Sequence, residues 1–574
     1  MERTTRELLG AATRHSGPHC AALALVGVAA TGAGLLLPVA LGRALDLLLA
    51  HAPATRWVLC CAGLLLLLTL LDAVETVLAG TVDARSTAFL RRRVTGHALA
   101  VGPRLTLRIG SGDLVARLVG NAAQAGTSPA ARAALLAALA GPVGGVVALA
   151  LIDPWLAAVF LTGAPVLTLL LRGLARDTSA CVADYQRVQG RIAAALTEAV
   201  AGVRTIRAAG TADRDTARVL RPLPELGRAG RRMWHVQGRA AAQAVAVAPL
   251  LHLGVVAVAG LLLARHRLTA GDVLAASRYA VLATGVGVLV GRLSGLVRAR
   301  TAADRLGEVL AHPAPGYGER RLPPDGPGRL ELRGVTARRG GRAVLDGVDL
   351  VVPGGTTLAV VGRSGSGKSL LAALAGRLTD PDAGELLLDG VPLPDLSRAE
   401  LRAAVAHAFD RPVLLGTTVE DTIGLGLRRP SSARIRAAAR TARADDFVRR
   451  LPAGYATPCA EAPHSGGEAQ RLGLARAFAH GGRLLVLDDA LSSLDTVTEH
   501  QVTEAVFGRA ATGTRLVVAH RATTAARADA VAWLDGGRVR AVGTHAQLWR
   551  ERGYRAVFGA GGELDPADAA GARR

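Results

Sequence analysis

Lysine is almost absent from this sequence. It occurs once in 574 residues, at Lys368, and arginine takes the other permanently cationic positions of a chain whose formal net charge is +22. Aromatic residues make up only 3% of the chain. The few cysteines have neither metal-ligand nor disulfide-framework spacing, which argues against a metal-stapled or disulfide-stapled fold and favours isolated thiols in a reducing compartment or in lipid. These cysteines are Cys20, Cys60, Cys61, Cys181 and Cys459.

Apolar residues make up half of the chain, and the mean hydropathy is positive. In a soluble protein, a net charge of +22 would suggest nucleic acid or another anionic partner. Here the arginines lie mainly between and beyond the apolar runs, as expected when basic loops remain on the cytoplasmic side of a bilayer. We therefore expect membrane lipid as a partner and no nucleic acid.

Six apolar segments before residue 300 each come close to the ~20 residues that a helix needs to cross a bilayer. They are Ala21–Leu41, Trp57–Leu78, Ala133–Leu151, Trp155–Ala175, Ala241–Ala264 and Val273–Leu296. Short links join these spans in pairs: Leu48–Arg56, Ile152–Pro154 and Arg265–Asp272. The two remaining links have about fifty residues or more, are rich in arginine and are predicted to lie in the cytoplasm. Because further spans follow the first one, that segment is not expected to be a cleaved signal peptide.

The composition changes after residue 311. Residues 312–329 are rich in proline and glycine, as linkers are. Between residues 330 and 562 strand-like and helix-like runs alternate, which predicts an α/β domain, and residues 563–574 form a tail. Residues 1–311 are thus predicted to form a transmembrane domain with two long cytoplasmic excursions.

The single lysine lies in a phosphate-binding loop of the form G-x-x-x-x-G-K-S. Its residues are Gly362, Arg363, Ser364, Gly365, Ser366, Gly367, Lys368 and Ser369. The glycines let backbone N–H groups turn inward around nucleotide phosphates, the lysine reaches the β and γ oxygens, and the serine hydroxyl can ligate Mg²⁺. Thr357–Val361 is predicted to be the buried strand before the loop, and Leu370–Leu378 the helix after it. The predicted fold class is an all-α transmembrane six-helix domain followed by an α/β P-loop nucleotide-binding domain.

Three further motifs follow the loop. Ser465–Arg471 precedes the helical run Leu472–His480, an apolar strand then ends in Asp488 and Asp489, and a second apolar strand ends near His520. In this order and spacing the motifs resemble those of an ABC exporter half-transporter, which has six membrane spans followed by one nucleotide-binding domain, and the resemblance covers essentially the whole chain. Two segments of the membrane half resemble the same family: Gly112–Leu118 and Glu198–Ile206.

This resemblance implies ATP and Mg²⁺ as ligands and assigns roles to residues. Asp488 would hold Mg²⁺, which prefers oxygen ligands, together with Ser369. Asp489 stands where the family places the carboxylate that polarises the attacking water, and His520 would contact the γ-phosphate. The signature Ser465, Gly466, Gly467 and Glu468 would cap the nucleotide of a second subunit. The working unit would therefore be a dimer.

Several positions depart from the family pattern. The usual glutamate is Asp489, whose carboxylate would sit more than ~1 Å further from the water. Asp410 aligns with a glutamine that couples the γ-phosphate to the membrane domain, and Arg339 aligns near the aromatic that stacks on adenine. His464 and Glu468 replace the leucine before and the glutamine after the SGG triplet. We therefore expect a slow site on this chain's own loop and favour a second, different half-transporter as partner over an identical one.

Ionisable residues inside predicted spans are expensive and suggest functional positions. Arg278 and Arg292 in the sixth span could contact cargo, reach towards the interface or mark a misplaced boundary. Arg278 is the candidate substrate residue. Asp72 and Glu75 in the second span could face an aqueous cavity.

Glu461–Arg476 and Asp488–Glu499 resemble actinobacterial transporters that export lanthipeptides. The ATPase half does not touch cargo, so export of a lipid or hydrophobic drug remains an alternative. A third reading is an ATP-binding regulatory membrane protein with little turnover, because Asp410 and Asp489 depart from the family. No peptidase domain is expected before the first span, so another protein would remove any leader peptide. The expected location is the cytoplasmic membrane, with several spans and a cytoplasmic nucleotide-binding domain.

Overall fold

The structure is a computed structural model of the full chain, and it describes residues 2–459, 462, 465–507 and 513–559. The chain divides into two compact units. The first unit comprises Met1–Leu99 and Arg108–Pro313, and the second comprises Ala100–Leu107 and Ala314–Arg574. The predicted tail, residues 563–574, and His464 lie outside the described residues.

The chain before residue 313 is helical. Its α-helices, numbered along the chain, are α1 (Glu2–His15), α2 (Gly17–Leu49), α3 (Thr55–Val101), α4 (Pro103–Ile109), α5 (Ser111–Ala116), α6 (Ala122–Gly126), α7 (Ser128–Ile152), α8 (Pro154–Ala201), α9 (Val203–Ala209), α10 (Ala212–Leu220), α11 (Leu223–Ala264), α12 (Ala270–Ala283) and α13 (Val286–Leu310). A π-helical turn, Arg117–Asn121, separates α5 from α6.

Within the described chain, three helical segments are long and apolar enough to cross a membrane: Gly17–Leu49, Thr55–Val101 and Ser111–Ile152. Shorter apolar stretches lie in α8 and α11, at Pro154–Gly163 and Pro249–Ala264. The first five predicted spans fall inside α2, α3, α7, α8 and α11. The two long links that were predicted to be cytoplasmic are largely helical, because α3, α8 and α11 continue well beyond the apolar runs.

The sixth predicted span, Val273–Leu296, is not one continuous helix. It is divided between α12 and α13, with a break at Thr284 and Gly285. Threonine and glycine are both poor helix formers. The Gly285 N–H donates to the carbonyl of Leu282, three residues earlier, whereas an α-helix would use the carbonyl four residues earlier. The expectation of a single helix there is corrected accordingly.

Polar side chains fasten the short links of the helical unit. The Asp153 carboxylate accepts a hydrogen bond from the backbone N–H of Trp155 at 3.0 Å, which caps α8, and pairs with Arg267 at 3.0 Å. Asp46 in α2 accepts hydrogen bonds from the Thr269 hydroxyl at 2.8 Å and the Gly271 N–H at 2.7 Å. These contacts tie the start of α12 to the end of α2.

Small residues let α2 and α12 approach closely. A Cβ atom on Gly42 would lie 2.6 Å from the carbonyl oxygen of Gly271, closer than any real contact. Further along the same interface, the hydroxyl of the buried Tyr279 donates a hydrogen bond to the carbonyl of Leu35 at 2.6 Å. A buried phenol needs such a partner because an unpaired polar group in an apolar interior is costly.

The chain after residue 313 is an α/β domain. Its strands are β1 (Leu330–Arg339), β2 (Arg342–Val352), β3 (Thr357–Val361), β4 (Ala383–Leu388), β5 (Val391–Pro392), β6 (Val405–Phe409), β7 (Leu484–Asp488), β8 (Thr514–Val518), β9 (Ala530–Asp535) and β10 (Arg538–Gly543). One sheet has the order β2-β1-β4-β5 and is antiparallel. The other has the order β10-β9-β3-β8-β7-β6, in which β9, β3, β8, β7 and β6 run parallel and β10 is antiparallel.

The helices of this domain are α14 (Lys368–Ala375), α15 (Arg398–Ala404), α16 (Val419–Gly424), α17 (Ser432–Thr441), α18 (Asp445–Arg449), α19 (Gly466–His480), α20 (Thr496–Phe507), α21 (Ala522–Ala526), α22 (His545–Leu548) and α23 (Arg552–Arg555). Helices α14, α15, α19 and α21 contact strands of the parallel sheet, whereas α16 and α17 pack against α19. Every residue of the central strands β3 and β8 is buried, as expected for a parallel sheet covered on both faces. The predicted bounds of β3 match the structure residue for residue.

The segment predicted as a linker is partly bound to the second unit. The N–H of Gly318 donates to the carbonyl of Pro394 at 2.8 Å, and the N–H of Arg320 donates to that of Asp395 at 2.9 Å. Arg104, in the short segment Ala100–Leu107, donates hydrogen bonds to the Thr379 hydroxyl and to the backbone of Asp380. These contacts explain why both segments belong to the compact unit built on the two sheets.

Candidate nucleotide-binding site

The phosphate loop connects the buried strand β3 to α14. Gly365 and Gly367 have φ angles of 81° and 102°, which side-chain-bearing residues rarely adopt. A Cβ atom on Gly362 would lie 2.3 Å from the carbonyl oxygen of Leu534, so backbone crowding requires glycine there. The loop therefore has the open concave backbone that a phosphate group needs.

Lys368 is the first residue of α14 and is 5% exposed. Its ammonium donates hydrogen bonds to the carbonyls of Gly362 at 2.8 Å and Arg363 at 3.1 Å. Burial lowers the pKa of this lysine, while the neighbouring carboxylates of Asp489 and Asp488 act in the opposite direction. The ammonium is thus held inside the loop by carbonyls that nucleotide phosphates can replace.

Asp488 ends strand β7 beside the start of α14. Burial raises the pKa of its carboxyl group, the Ser369 hydroxyl hydrogen-bonds to it and lowers that pKa, and the charges of Asp489 and Asp410 raise it further. Its buried Oδ1 atom has no hydrogen-bond partner in the part of the chain that the structure describes. A hard cation is the natural partner for a carboxylate oxygen beside a hydroxyl, so the residues fit Mg²⁺.

Asp489 and His520 lie in contact, although 31 positions separate them in the sequence. The Nε2 atom of His520 is 2.8 Å from the Oδ1 atom of Asp489. Strands β7 and β8 are parallel neighbours, so residues just beyond their carboxyl ends meet at one edge of the sheet. Strand β8 ends at Val518, two residues earlier than the histidine that the sequence placed at its end.

The backbone at Asp489 is unusual. Its φ angle is 53°, in the left-handed region that non-glycine residues seldom occupy. Such a conformation costs on the order of 1 kcal/mol and persists where neighbouring groups hold it. Here the carbonyl of Asp489 accepts hydrogen bonds from the Gln470 amide at 3.2 Å and the Ser492 hydroxyl at 2.9 Å.

Asp410 follows strand β6, directly beside Asp489 at the same edge, because Phe409 pairs with Asp488 in the sheet register. The Oδ1 atom of Asp410 accepts a hydrogen bond from the Ser492 hydroxyl at 2.8 Å. The structure thus brings Asp410, Asp488, Asp489 and Lys368 together at one edge of the sheet. Sequence reasoning missed Ser492 and Gln470, although Gln470 stands within the Ser465–Arg471 motif and Ser492 follows the acidic strand.

Arg339 ends β1 in the hairpin whose turn is Gly340-Gly341, and its side chain is exposed. The second strand of this hairpin borders the phosphate loop, since a Cβ atom on Gly367 would lie 2.7 Å from the Leu345 side chain. Arg339 is therefore at the exposed end of an element beside the loop. Its contact with a nucleobase remains a prediction.

The signature motif begins helix α19. The Ser465 hydroxyl accepts from the Glu468 N–H at 3.2 Å, and the Glu468 carboxylate accepts from the Ser465 N–H at 2.8 Å, which together form a capping box. Ser465 and Gly466 are exposed. The glutamate that replaces the family's glutamine thus fixes the helix start, and the exposed N-terminus suits an anion.

In the helical unit, Arg278 lies on the exposed side of α12, whose other side buries Ala276 and Tyr279. Arg292 and Asp72 are also exposed, and Glu75 is half-buried. These ionisable residues are therefore not part of the helical core. The structure leaves their role in cargo binding as a prediction.

Two family models match the chain. The model described as ABC transporter matches residues 345–492, and that described as ABC transporter transmembrane region matches residues 21–285. The chain is also similar to the ABC transporter ATP-binding protein RamA of Streptomyces coelicolor, with 55% identity over 537 residues that cover 94% of this chain and 84% of that protein. This chain belongs to the ABC transporters. Both halves of the predicted resemblance are thereby confirmed.

Other relatives show how widely this transporter architecture is shared. An ATP-dependent lipid A-core flippase of Methylococcus capsulatus is 30% identical over 488 residues, which cover 83% of this chain and 80% of the flippase. The structure of a bacterial Atm1-family ABC exporter with ATP bound matches 96% of this chain and 99% of that chain, with a TM-score of 0.81 and 24% identity. This last likeness shows the fold.

These findings confirm the fold class and the coarse activity. The protein is a multi-pass membrane transporter of the exporter type, with a cytoplasmic nucleotide-binding domain that binds ATP and couples its hydrolysis to transport. Exporters of this architecture act as dimers.

Proposed function

We propose that this chain is one half of a heterodimeric exporter that moves a modified, lanthipeptide-like peptide outward across the cytoplasmic membrane. The heterodimer proposal is supported by a difference between two functional parts of the chain. Its signature helix α19 has a complete, exposed N-terminus, whereas its own site has the short carboxylate of Asp489 in contact with His520. Such a chain can complete a partner's site while running a slow site of its own.

The phosphate loop and its neighbours would bind the nucleotide. Lys368 would turn from the carbonyls of Gly362 and Arg363 to the β and γ phosphates, and Ser369 with Asp488 would hold Mg²⁺. A bound Mg²⁺ would supply Lewis-acid polarisation of the phosphoryl oxygens. Asp489 would orient the attacking water and accept its proton, and His520 would contact the γ-phosphate.

The site on this chain's own phosphate loop would be slow because the Asp489 side chain is short and its carboxylate lies 2.8 Å from His520. A well-placed general base contributes roughly 10²- to 10⁴-fold in rate, so displacing it by about one bond length costs much of that factor. Ser465, Gly466 and Gly467 at the N-terminus of α19 would instead enclose the nucleotide of the second subunit. Closure of the two domains would switch the helices from inward-open to outward-open.

Nucleotide binding is tested at Lys368. Lys368→Ala should abolish photolabelling of the full-length chain by an azido-ATP analogue, because backbone donors alone do not supply the missing charge. Lys368→Arg should also label poorly, since a planar guanidinium does not fit where a compact ammonium does. Arg550→Ala, at an exposed position, is the control for expression and labelling. Undiminished labelling of Lys368→Ala would contradict the assignment.

The heterodimer is tested with the complex purified through a tag on this chain. A second, different half-transporter should copurify. Asp489→Asn should lower total ATP turnover only modestly, whereas neutralising the equivalent carboxylate of the second subunit should nearly stop it. Vigorous turnover by this chain alone, lost entirely in Asp489→Asn, would show instead a working homodimer.

The cargo proposal is supported by the composition of the helical unit. Aromatic residues are scarce, and Phe160 and Tyr279, two of the few, are buried in the helical core. Planar cationic drugs favour ring stacking and cation–π contacts, for which this unit offers few exposed rings, among them Trp57, Trp155 and Trp234. An exposed Arg278 on α12 offers a partner for a peptide carboxylate.

Deleting the gene should trap a modified peptide inside the cell and leave drug resistance nearly unchanged. Arg278→Ala should weaken peptide export and leave basal ATPase intact, with Arg265→Ala, at the exposed end of α11, as the matched control. Both are measured by mass spectrometry of cells and medium. Sensitisation to several unrelated hydrophobic cations without peptide accumulation would replace the peptide with a drug.

Lipid is a second candidate cargo, because one relative, 30% identical over 80% of its own length, is a lipid A-core flippase. Vesicles containing the purified protein and labelled lipid distinguish the two: ATP-dependent lipid flipping without peptide uptake would favour lipid. The regulatory alternative rests on Asp410 and Asp489. It predicts ATP binding with neither peptide nor lipid movement.

A further inference from the structure

The geometry points to Gln470 as a positioning residue that holds Asp489 and Asp410 in place and links them to the signature helix. The inference rests on the proposed role of Asp489 in hydrolysis. Gln470 is only 1% exposed and lies in the second turn of α19, the helix that begins with the signature. A polar side chain this deeply buried must have its hydrogen bonds satisfied, so its partners are informative.

The Gln470 amide bridges two strand ends. Strands β6 and β7 are parallel, and Phe409 pairs with Asp488, so the next residues, Asp410 and Asp489, lie side by side. The Nε2 atom of Gln470 donates to the backbone carbonyls of both Asp410 and Asp489, each at 3.2 Å. One amide group therefore fixes the two carboxylate-bearing positions relative to each other.

The same side chain also holds the segment after Asp489. Its Oε1 atom accepts a hydrogen bond from the backbone N–H of Ser493 at 3.0 Å, and Nε2 lies 3.4 Å from the Ser492 hydroxyl. That hydroxyl is itself within reach of the Asp410 carboxylate at 2.8 Å and the Asp489 carbonyl at 2.9 Å. The contacts form one closed network around the turn.

The network explains the left-handed backbone of Asp489. A φ angle of 53° turns the Asp489 side chain towards His520, and the conformation needs outside support to persist. The Asp489 carbonyl receives that support from Gln470 and Ser492. Without the amide donor, the turn would relax and the carboxylate would leave the edge where the γ-phosphate and water are expected.

The link has a second consequence, because α19 serves the other site. Its exposed N-terminus, at Ser465 and Gly466, would cap the nucleotide bound by the partner, while Gln470 in the next turn holds this chain's own carboxylates. A shift of α19 on closure would be transmitted to Asp489 through the hydrogen-bonded side chain of Gln470. Gln470 therefore couples closure at one composite site to carboxylate geometry at the other.

The test uses the copurified heterodimer in lipid nanodiscs, with the equivalent carboxylate of the second subunit neutralised so that turnover reports this chain's own site, and compares four variants. Gln470→Glu keeps the acceptor for Ser493 and removes the amide donor, Gln470→Met removes both, and Asp489→Asn and the double variant Gln470→Glu/Asp489→Asn complete a cycle. We expect Gln470→Glu and Gln470→Met to lower kcat by about tenfold or more while KM for ATP changes less than about twofold. Gln547→Glu, at an exposed capping glutamine of α22, is the control and should match the unmodified chain.

The double variant decides between positioning and general destabilisation. If Gln470 acts through Asp489, the double variant should be no slower than Asp489→Asn alone, within about twofold. The inference would be overturned if the kcat loss of the double variant equalled the product of the two single losses. It would also be overturned if the Gln470 variants raised KM and left kcat unchanged, even when Asp489→Asn itself is slow. If Asp489→Asn turns over ATP normally, the proposed role of Asp489 fails and this inference fails with it. Thermal unfolding and azido-ATP labelling confirm that each variant is folded.

Discussion

Lengthening one side chain should speed this transporter. In Asp489→Glu the backbone turn is kept, and one methylene carries the carboxylate about 1.5 Å further from the strand end. Asp489 is half-buried rather than enclosed by the domain core. The present carboxylate is engaged with His520 at 2.8 Å, and the longer one would reach past that contact.

The expected gain follows from the role of a general base. Placing such a base correctly is worth roughly 10²- to 10⁴-fold, and the single substitution should recover part of this because Asp410 remains unlike the family's glutamine. We expect turnover at this chain's own site to rise at least about tenfold, which corresponds to lowering the barrier by about 1.4 kcal/mol. Adding Asp410→Gln should raise it further.

The assay is phosphate release by the heterodimer in nanodiscs at saturating ATP and Mg²⁺, with the equivalent carboxylate of the second subunit neutralised so that only this chain's own site is measured. Asp489→Asn sets the floor, and Asp535→Glu, which lengthens an exposed carboxylate paired with Arg540, controls for the added methylene. Equal or lower turnover of Asp489→Glu, with unchanged azido-ATP labelling, would refute the view that carboxylate reach limits this site.

The remaining predictions concern stability and binding. Burial and the charge of Arg402 lower the pKa of His407 from 6.5 to about 4, so the unfolded chain binds the extra proton first and stability should fall as pH drops from about 6.5 towards 4. His407→Gln should remove this pH dependence, which amounts to up to about 3 kcal/mol in the free energy of unfolding. The free energy is measured by denaturant unfolding at several pH values. Asp46→Ala, which removes two hydrogen bonds to the start of α12, should lower stability by about 2 kcal/mol in thermal unfolding, whereas no change would show that the contacts are solvent-replaceable. Gly362→Ala should abolish ATP photolabelling, since its Cβ atom would collide with the Leu534 carbonyl; normal labelling would show that the loop can yield.

Much of the nucleotide-binding domain could be predicted from local sequence motifs. The phosphate loop, the acidic strand end and the signature are local strings, and a fully apolar run such as Thr357–Val361 predicts a buried strand with its bounds. The apolar runs likewise predict helices, because a span must satisfy its backbone internally. The division at Thr284 and Gly285 was missed, since apolar composition alone does not show where a helix breaks.

What the tertiary structure decided is which residues meet. Asp489 and His520 come together because β7 and β8 are parallel neighbours, and Gln470 reaches Asp410 and Asp489 because α19 packs across two strand ends. No spacing in the sequence encodes these contacts: they depend on strand order and helix placement, which hydrophobic burial sets for the domain as a whole. The sequence by itself determined the local chemistry of the loop, the spans and the signature, and the packing determined how that chemistry is aimed.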